Sequence, residues 1–265
     1  MLDTAVEEKR IPSNPARGIP LPRRIPVDHV YLTEDQVHEL ADEVSQYGEI
    51  IHLLAHSGLR WGEMAALRPR DVHVDALRIR IDRASSKVNA TSKIVEPKNW
   101  ERRTVAVPEE VMELLVPVID AQPNRDGLLW SRPSDGRPLM PPTETGWYWK
   151  AVGRLRGPDP DEDMSEAEAA LYESTRFPRV TAHQLRHTAA SLMIADGANI
   201  KTIQRQLGHK SATVTLDHYG HLYPDDLDDI AVRMGTRFRA TAERRAGKTR
   251  GQAPDGDDPG DENGP

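Results

Sequence analysis

The sequence contains no cysteine. That excludes a disulfide scaffold, thiolate-bound zinc and a cysteine nucleophile. Long apolar runs are missing too. The longest, around Ile50-Ile51-His52-Leu53-Leu54-Ala55, falls far short of a bilayer span. The first residues, Met1-Leu2-Asp3-Thr4-Ala5-Val6-Glu7-Glu8, have neither the basic start nor the apolar stretch of a secretory signal. No Gly-x-x-x-x-Gly-Lys-Ser/Thr loop is present to cradle a nucleotide phosphate. The expectation is a cytoplasmic protein with no membrane partner.

What is present is charge, unevenly placed. The net charge of the 265 residues is −7. Six acidic residues lie between Gly157 and Glu168 and five between Gly251 and Pro265, with no Lys or Arg in either stretch. With those eleven set aside, −7 becomes +4, so the body of the chain is mildly basic and compatible with nucleic acid. The length gives room for one large domain or two small ones.

Residues 1–28 read as a short helical piece followed by a stiff linker carrying Pro12, Pro15, Pro20, Pro22 and Pro26. A body follows over 29–245. Thr33-Glu34-Asp35-Gln36 fits a capping box ahead of Val37, Leu40 and Val44. Helices are expected over Glu49–His56, stopping at a left-handed Gly58, and over Trp61–Leu67 before Pro69. Strict alternation in Leu77–Ile81 and Thr104–Val107 predicts two strands with a polar loop between them. Further helices are expected over Glu109–Ala121 (kinked or cut short by Pro117), Trp147–Arg156, Thr181–Asp196, Asn199–Leu207, Ser211–His221 and Asp225–Arg245. Residues 157–176 read as an acidic loop insertion and 246–265 as a disordered acidic tail. The fold class is α+β, mostly helical, with a small antiparallel β-sheet beside a helical body.

Chemistry concentrates in Thr181-Ala182-His183-Gln184-Leu185-Arg186-His187-Thr188. Thr181 and Gln184 form a second capping box, which places His183 in the first helical turn. Arg186 and His187, three and four residues on, share its face. Such a turn suits an anion, because free amides and the helix dipole favour negative charge there. The two histidines also have the spacing of a zinc-protease helix, but that chemistry needs a Glu after the first His, and Gln184 cannot take a proton. Two further pieces are Ser57-Gly58-Leu59-Arg60-Trp61-Gly62-Glu63 and Leu207-Gly208-His209, the latter followed by Asp217-His218-Tyr219-Gly220-His221-Leu222-Tyr223.

Taken in order over about residues 28–240, these pieces resemble the catalytic domain of tyrosine recombinases, the phage integrase family. The family pattern falls on Arg60 (with Glu63), Lys98 in a β-hairpin, His183, Arg186, His209 and Tyr219. The resemblance implies the recombinase catalytic-domain fold and a metal-independent enzyme with no cofactor. In that chemistry Arg60 and Arg186 bind the non-bridging phosphate oxygens and Tyr219 attacks to give a 3′-phosphotyrosyl link. His183 assists the proton transfer, Lys98 protonates the departing 5′-oxygen and His209 donates a hydrogen bond to the phosphate. Lys87 and Lys93 compete with Lys98, which fits the family spacing best. Tyr223 competes with Tyr219 but abuts Pro224. The implied partners are double-stranded DNA, further copies of the chain in a tetramer on paired sites, and accessory factors that bend DNA. Family members carry an N-terminal clamp domain that has no counterpart here, so a fragment or truncated form is expected. Alternatives are an inactive DNA-binding remnant, a metal hydrolase built on His183 and His187, and a related relaxing topoisomerase.

Overall fold

The computed structural model describes residues 2–19, 29–88, 91–95, 102–161, 163–223 and 227–250. Helix α1, Leu2–Glu7, opens the chain and has no buried residue. Helix α2, Glu34–Glu43, starts at the Thr33 box: Thr33 Oγ1 accepts from the Gln36 amide (3.3 Å) and Gln36 Oε1 accepts from the Thr33 amide (3.0 Å). Helix α3, Gly48–Ser57, is apolar nearly all round and accordingly buried, packing against α2 and two later helices. It ends at Gly58, whose φ of +69° is the left-handed cap expected there. Helix α4, Trp61–Met64, is a single turn, shorter than the sequence suggests, because the chain turns at Ala65 and Ala66 towards Pro69.

Strands β1 (Val72–His73) and β2 (Arg78–Ile81) begin an antiparallel sheet. Strands β3 (Ala84–Val88) and β4 (Thr91–Val95) form a separate hairpin. Strand β5 (Arg103–Ala106) then pairs with β2, setting Ile79 opposite Val105. The alternation is physical: Ile79, Ile81 and Val105 are buried while Arg78 and Arg80 face out. The hairpin corrects the polar-loop expectation. Its strands pair through the backbone, and Ser85 Oγ meets Ser92 Oγ at 2.6 Å, so no apolar alternation announces it.

Helix α5, Glu109–Asp120, continues past Pro117, which falls in its last turn. That position forfeits one intrahelical bond and leaves the termination unchanged. Helix α6, Trp147–Arg156, packs on α2. The acidic insertion is not only loop: α7, Glu166–Thr175, lies inside it with no buried residue. The cause is a capping box, in which Glu168 Oε2 accepts from the Ser165 amide (3.0 Å) and Ser165 Oγ from the Glu168 amide (3.4 Å). Helices α8 (Gln184–Ala195), α9 (Ile200–Leu207) and α10 (Ala212–Tyr219) follow, and a short 3-10 turn, Gly220–Leu222, extends α10. Helix α11 runs Leu227–Arg250, five residues into the stretch read as a tail, whose remainder lies outside the described residues.

Two cores result. The larger gathers α2 to α6, the sheet and the start of α8 around residues such as Leu40, Ile51, Met64, Ile79, Leu115 and Leu185. The smaller consists of Ala190, Ile194, Ile203, Leu207 and Tyr219. No helix among the described residues is long and apolar enough to cross a membrane.

Candidate functional site

Arg60 is the N-cap of α4 and Glu63 its third residue. Their spacing lets the buried carboxylate take the Arg60 amide (2.9 Å) and Arg60 Nη1 (3.0 Å) together. From β5, Arg103 adds a bidentate pair to the same carboxylate, 2.8 and 2.7 Å. Burial alone would raise the Glu63 pKa. The Arg103 hydrogen bonds and charge, helped by the amide and charge of Arg60, override it and bring the value to about 2. One permanent anion thus fixes two guanidinium groups and leaves Arg60 half-exposed.

Arg186, 3% exposed, projects from the first turn of α8. Nη1 donates to the Gly58 carbonyl and Nη2 to the Leu207 carbonyl (2.7 Å). Burial, then the neighbouring Arg60 charge, lowers its pKa to about 9, and it remains a cation at neutral pH. Gly58 has no Cβ for a reason besides its φ: one would sit 2.4 Å from Leu207 Cδ2. The two carbonyls that hold Arg186 therefore come from helix ends packed directly on each other.

The end of α9 is stapled to the sheet by Gln206, whose amide bonds both the amide and the carbonyl of Ala106 (2.9 and 2.7 Å). Gly208, at φ +67°, turns the chain so that His209 follows in a fixed place. Nδ1 of His209 lies 2.9 Å from Thr215 Oγ1, and its ring runs parallel to that of Tyr219 at 6.3 Å. Burial, followed by the charges of Arg186 and Arg60, lowers the His209 pKa to about 4. Beside it opens a cleft of about 580 Å³ lined by Arg60, Arg83, Arg102, Arg103, Arg205, His209 and Lys210, with Glu63 its carboxylate. Arg83 donates Nε to the Ala66 carbonyl (2.7 Å), while its Nη2 is buried with no hydrogen-bond partner among the described residues.

Tyr219 closes α10 and is 1% exposed. Burial raises its pKa to about 12, against the pull of Arg186. Its hydroxyl lies 2.8 Å from Nδ1 of His187. His183, the N-cap of α8, has its ring edge-on to His187 at 5.4 Å. The Thr181–Gln184 bonds expected around it are present, 2.7 and 3.2 Å. The His183 pKa is lowered by desolvation and then by Arg186 and Arg60. Tyr223 instead directs its hydroxyl at the Ala198 carbonyl (3.4 Å).

The structure thus brings together Arg60, His183, Arg186, His209 and Tyr219. Lys98 lies outside the described residues, and Lys93 is exposed on β4. Sequence reasoning gave no role to Arg103, His29 or His218, nor to His187 beside the phenol. The only local signals were the shared face of His183 and His187 and the position of Arg103 at the start of a strand.

The sequence profile of the phage integrase family matches residues 30–225. The ICEBs1 integrase of Bacillus subtilis is 24% identical over 242 residues, covering 88% of this chain and 62% of that protein. The putative prophage phiRv2 integrase of Mycobacterium tuberculosis is 25% identical over 232 residues, covering 83% of this chain and 55% of that one. The chain therefore spans 55 to 62% of the length of these curated relatives. Among solved structures, the Tn1549 transposon integrase in complex with circular intermediate DNA matches with a TM-score of 0.63 and 20% identity, over 89% of this chain and 75% of that one. At that identity the likeness shows the shared fold.

Proposed function

The chain belongs to the phage integrase family, and on that premise we propose that it cuts and rejoins double-stranded DNA through a covalent 3′-phosphotyrosyl link on Tyr219. One observation carries the reading: Arg60 and His209 line one cleft, and behind them lie the buried Tyr219, its ring parallel to that of His209, and the buried Arg186, whose charge interacts with Arg60 and Tyr219. Breaking a phosphodiester builds negative charge on the non-bridging oxygens. Arg60 and Arg186 are placed as preorganised cations for them, with His209 as a further donor.

Tyr219 Oη forms the new bond to phosphorus as the bond to the 5′-oxygen breaks. The phenol loses one proton and the 5′-oxygen gains one. With a pKa of about 12, only about one Tyr219 in 10⁵ is ionised at pH 7, so attack requires the cations and a proton acceptor in place. His183 is the proposed acceptor. Lys98 is the proposed acid on the family resemblance. The covalent link conserves the bond energy for rejoining, with no metal or cofactor in the proposed chemistry.

The working unit on DNA is proposed to be a tetramer on paired sites, acting in the cytoplasm with accessory factors that bend the DNA. An apolar stripe on α11 supports protomer contact: Leu227, Ile230, Met234 and Phe238, spaced along one helical face, are 72, 46, 64 and 77% exposed.

A duplex with a nick beside the cleavage position traps the covalent species, which a denaturing gel displays. The chain should form the adduct and Tyr219→Phe should form none while still binding the duplex. An adduct in the Phe variant would show that another residue attacks. Salt-sensitive binding with no adduct from the unaltered chain would leave a DNA-binding module without the chemistry.

A further inference from the structure

We infer that His187 is the positioning residue for the nucleophile, its Nδ1 setting the direction of the Tyr219 hydroxyl relative to the cation held by Arg186. The inference rests on reading Tyr219 as the attacking group. Arg186 and His187 are consecutive on α8. Neighbouring side chains on a helix diverge by about 100°, so one rigid turn sends Arg186 to the carbonyls of Gly58 and Leu207 and His187 to the phenol, 2.8 Å away. The spacing between the Arg186 cation and the imidazole that meets the phenol is then set by the geometry of one helix, which no loop movement alters.

His187 is itself fixed by rings from three segments. His29, ahead of α2, stacks on it at 4.1 Å with a 24° interplanar angle. His183, of its own helix end, meets it edge-on at 5.4 Å. His218 of α10 lies at 6.3 Å. The titratable and charged groups around His187 are therefore His29, His183, His218, Tyr219 and Arg186. Apart from the phenol these are imidazoles and a cation, and a proton on His187 would face all of them. Burial first, then His29, His183, His218 and Arg186, bring its pKa down to about 3. A neutral imidazole has one acceptor nitrogen. With Nδ1 as that acceptor, the Tyr219 O–H has a single favoured direction, and protonation would replace the acceptor by a second donor.

Two measurements on the full chain test this. In protein carrying ¹³Cζ-labelled tyrosine, the Tyr219 resonance is the one lost in Tyr219→Phe. It should shift in His187→Ala and return towards its original position in His187→Asn, whose amide stands where Nδ1 stood. On the nicked duplex, His187→Ala should slow adduct formation by up to about 100-fold with unchanged duplex affinity, and His187→Asn should recover most of the rate. A Tyr219 resonance indifferent to His187→Ala overturns the inference, as does an adduct rate unchanged in that variant. If the resonance responds but the unaltered chain forms no adduct, the hydrogen bond stands and the strand-cleaving function falls.

Discussion

The two halves of the site rest on different foundations. Arg60 and Glu63 belong to α4, whose Trp61 and Met64 sit in the larger core, and an ion-paired carboxylate locks the arginines there. Tyr219 is one of the five residues of the smaller core, and its hydroxyl is held by a neutral imidazole. At 1% exposure Tyr219 cannot touch a phosphate unless α10 moves. On the proposed chemistry the contrast reads as a division of labour: permanent charge is anchored in the larger core, and the group that would have to travel sits in the smaller one, where local opening is expected to take less free energy.

The largest effect should come from the residue that bridges the halves. In Arg186→Lys, a single nitrogen replaces the planar fork whose two Nη atoms reach separate carbonyls, so adduct formation should fall by about 10²- to 10³-fold, read by single-turnover kinetics. Next is Glu63→Gln, which leaves Arg103 without its carboxylate. Because Arg60 is half-exposed, the expected loss is near the lower end for a broken buried pair, about 3 kcal/mol, measured by urea denaturation. Third is Ile203→Ala in the smaller core. It should destabilise by about 2 kcal/mol and raise hydrogen exchange in α10 while α3 is unaffected. Equal exchange in both helices would erase the distinction between the cores.

The smallest effect separates the halves by pH. Folded His187 and His209 have pKa values of about 3 and about 4, against 6.5 as free groups. Below pH 6.5 the unfolded chain binds protons that the folded chain refuses, so stability should decline as pH falls towards 4. Glu63, at about 2 against 4.5, should hold its contribution above pH 4.5 and lose it only as pH approaches 2. A thermal-melt series in which His187→Asn flattens the upper part of this decline would confirm the assignment; an unchanged slope would refute it.

How much of this was legible in the sequence follows the range of the interactions. The Thr33 and Thr181 boxes, the left-handed Gly58 and Gly208 and the alternation in Leu77–Ile81 are settled within four or five residues, and the structure has them. The Ser165–Glu168 box was equally local, yet the surrounding acidic residues hid it. The β3–β4 strands carry no apolar period in their polar side chains, so only the family resemblance, with its Lys in a β-hairpin, pointed to a hairpin in this stretch. Partnerships across the fold leave no local trace: Arg103 meets Glu63 across 40 residues, Tyr219 meets His187 across 32, and His29 stacks on a ring 158 positions later. Family spacing identified residues that converge; it did not say which imidazole touches the phenol.

Among the described residues Arg186 is gripped by main-chain oxygens, not by other side chains. Every residue type carries that oxygen, so no single exchange at position 207 can delete the acceptor; only a change in the path of the turn can. The orientation of the deepest cation is in this way shielded from much of the chemical variation that mutation introduces, and its weak point is steric. At position 58 an added methyl group would sit 2.4 Å from Leu207 Cδ2 on a backbone of φ +69°, so the Leu207 side chain would have to yield beside the very carbonyl that the guanidinium grips.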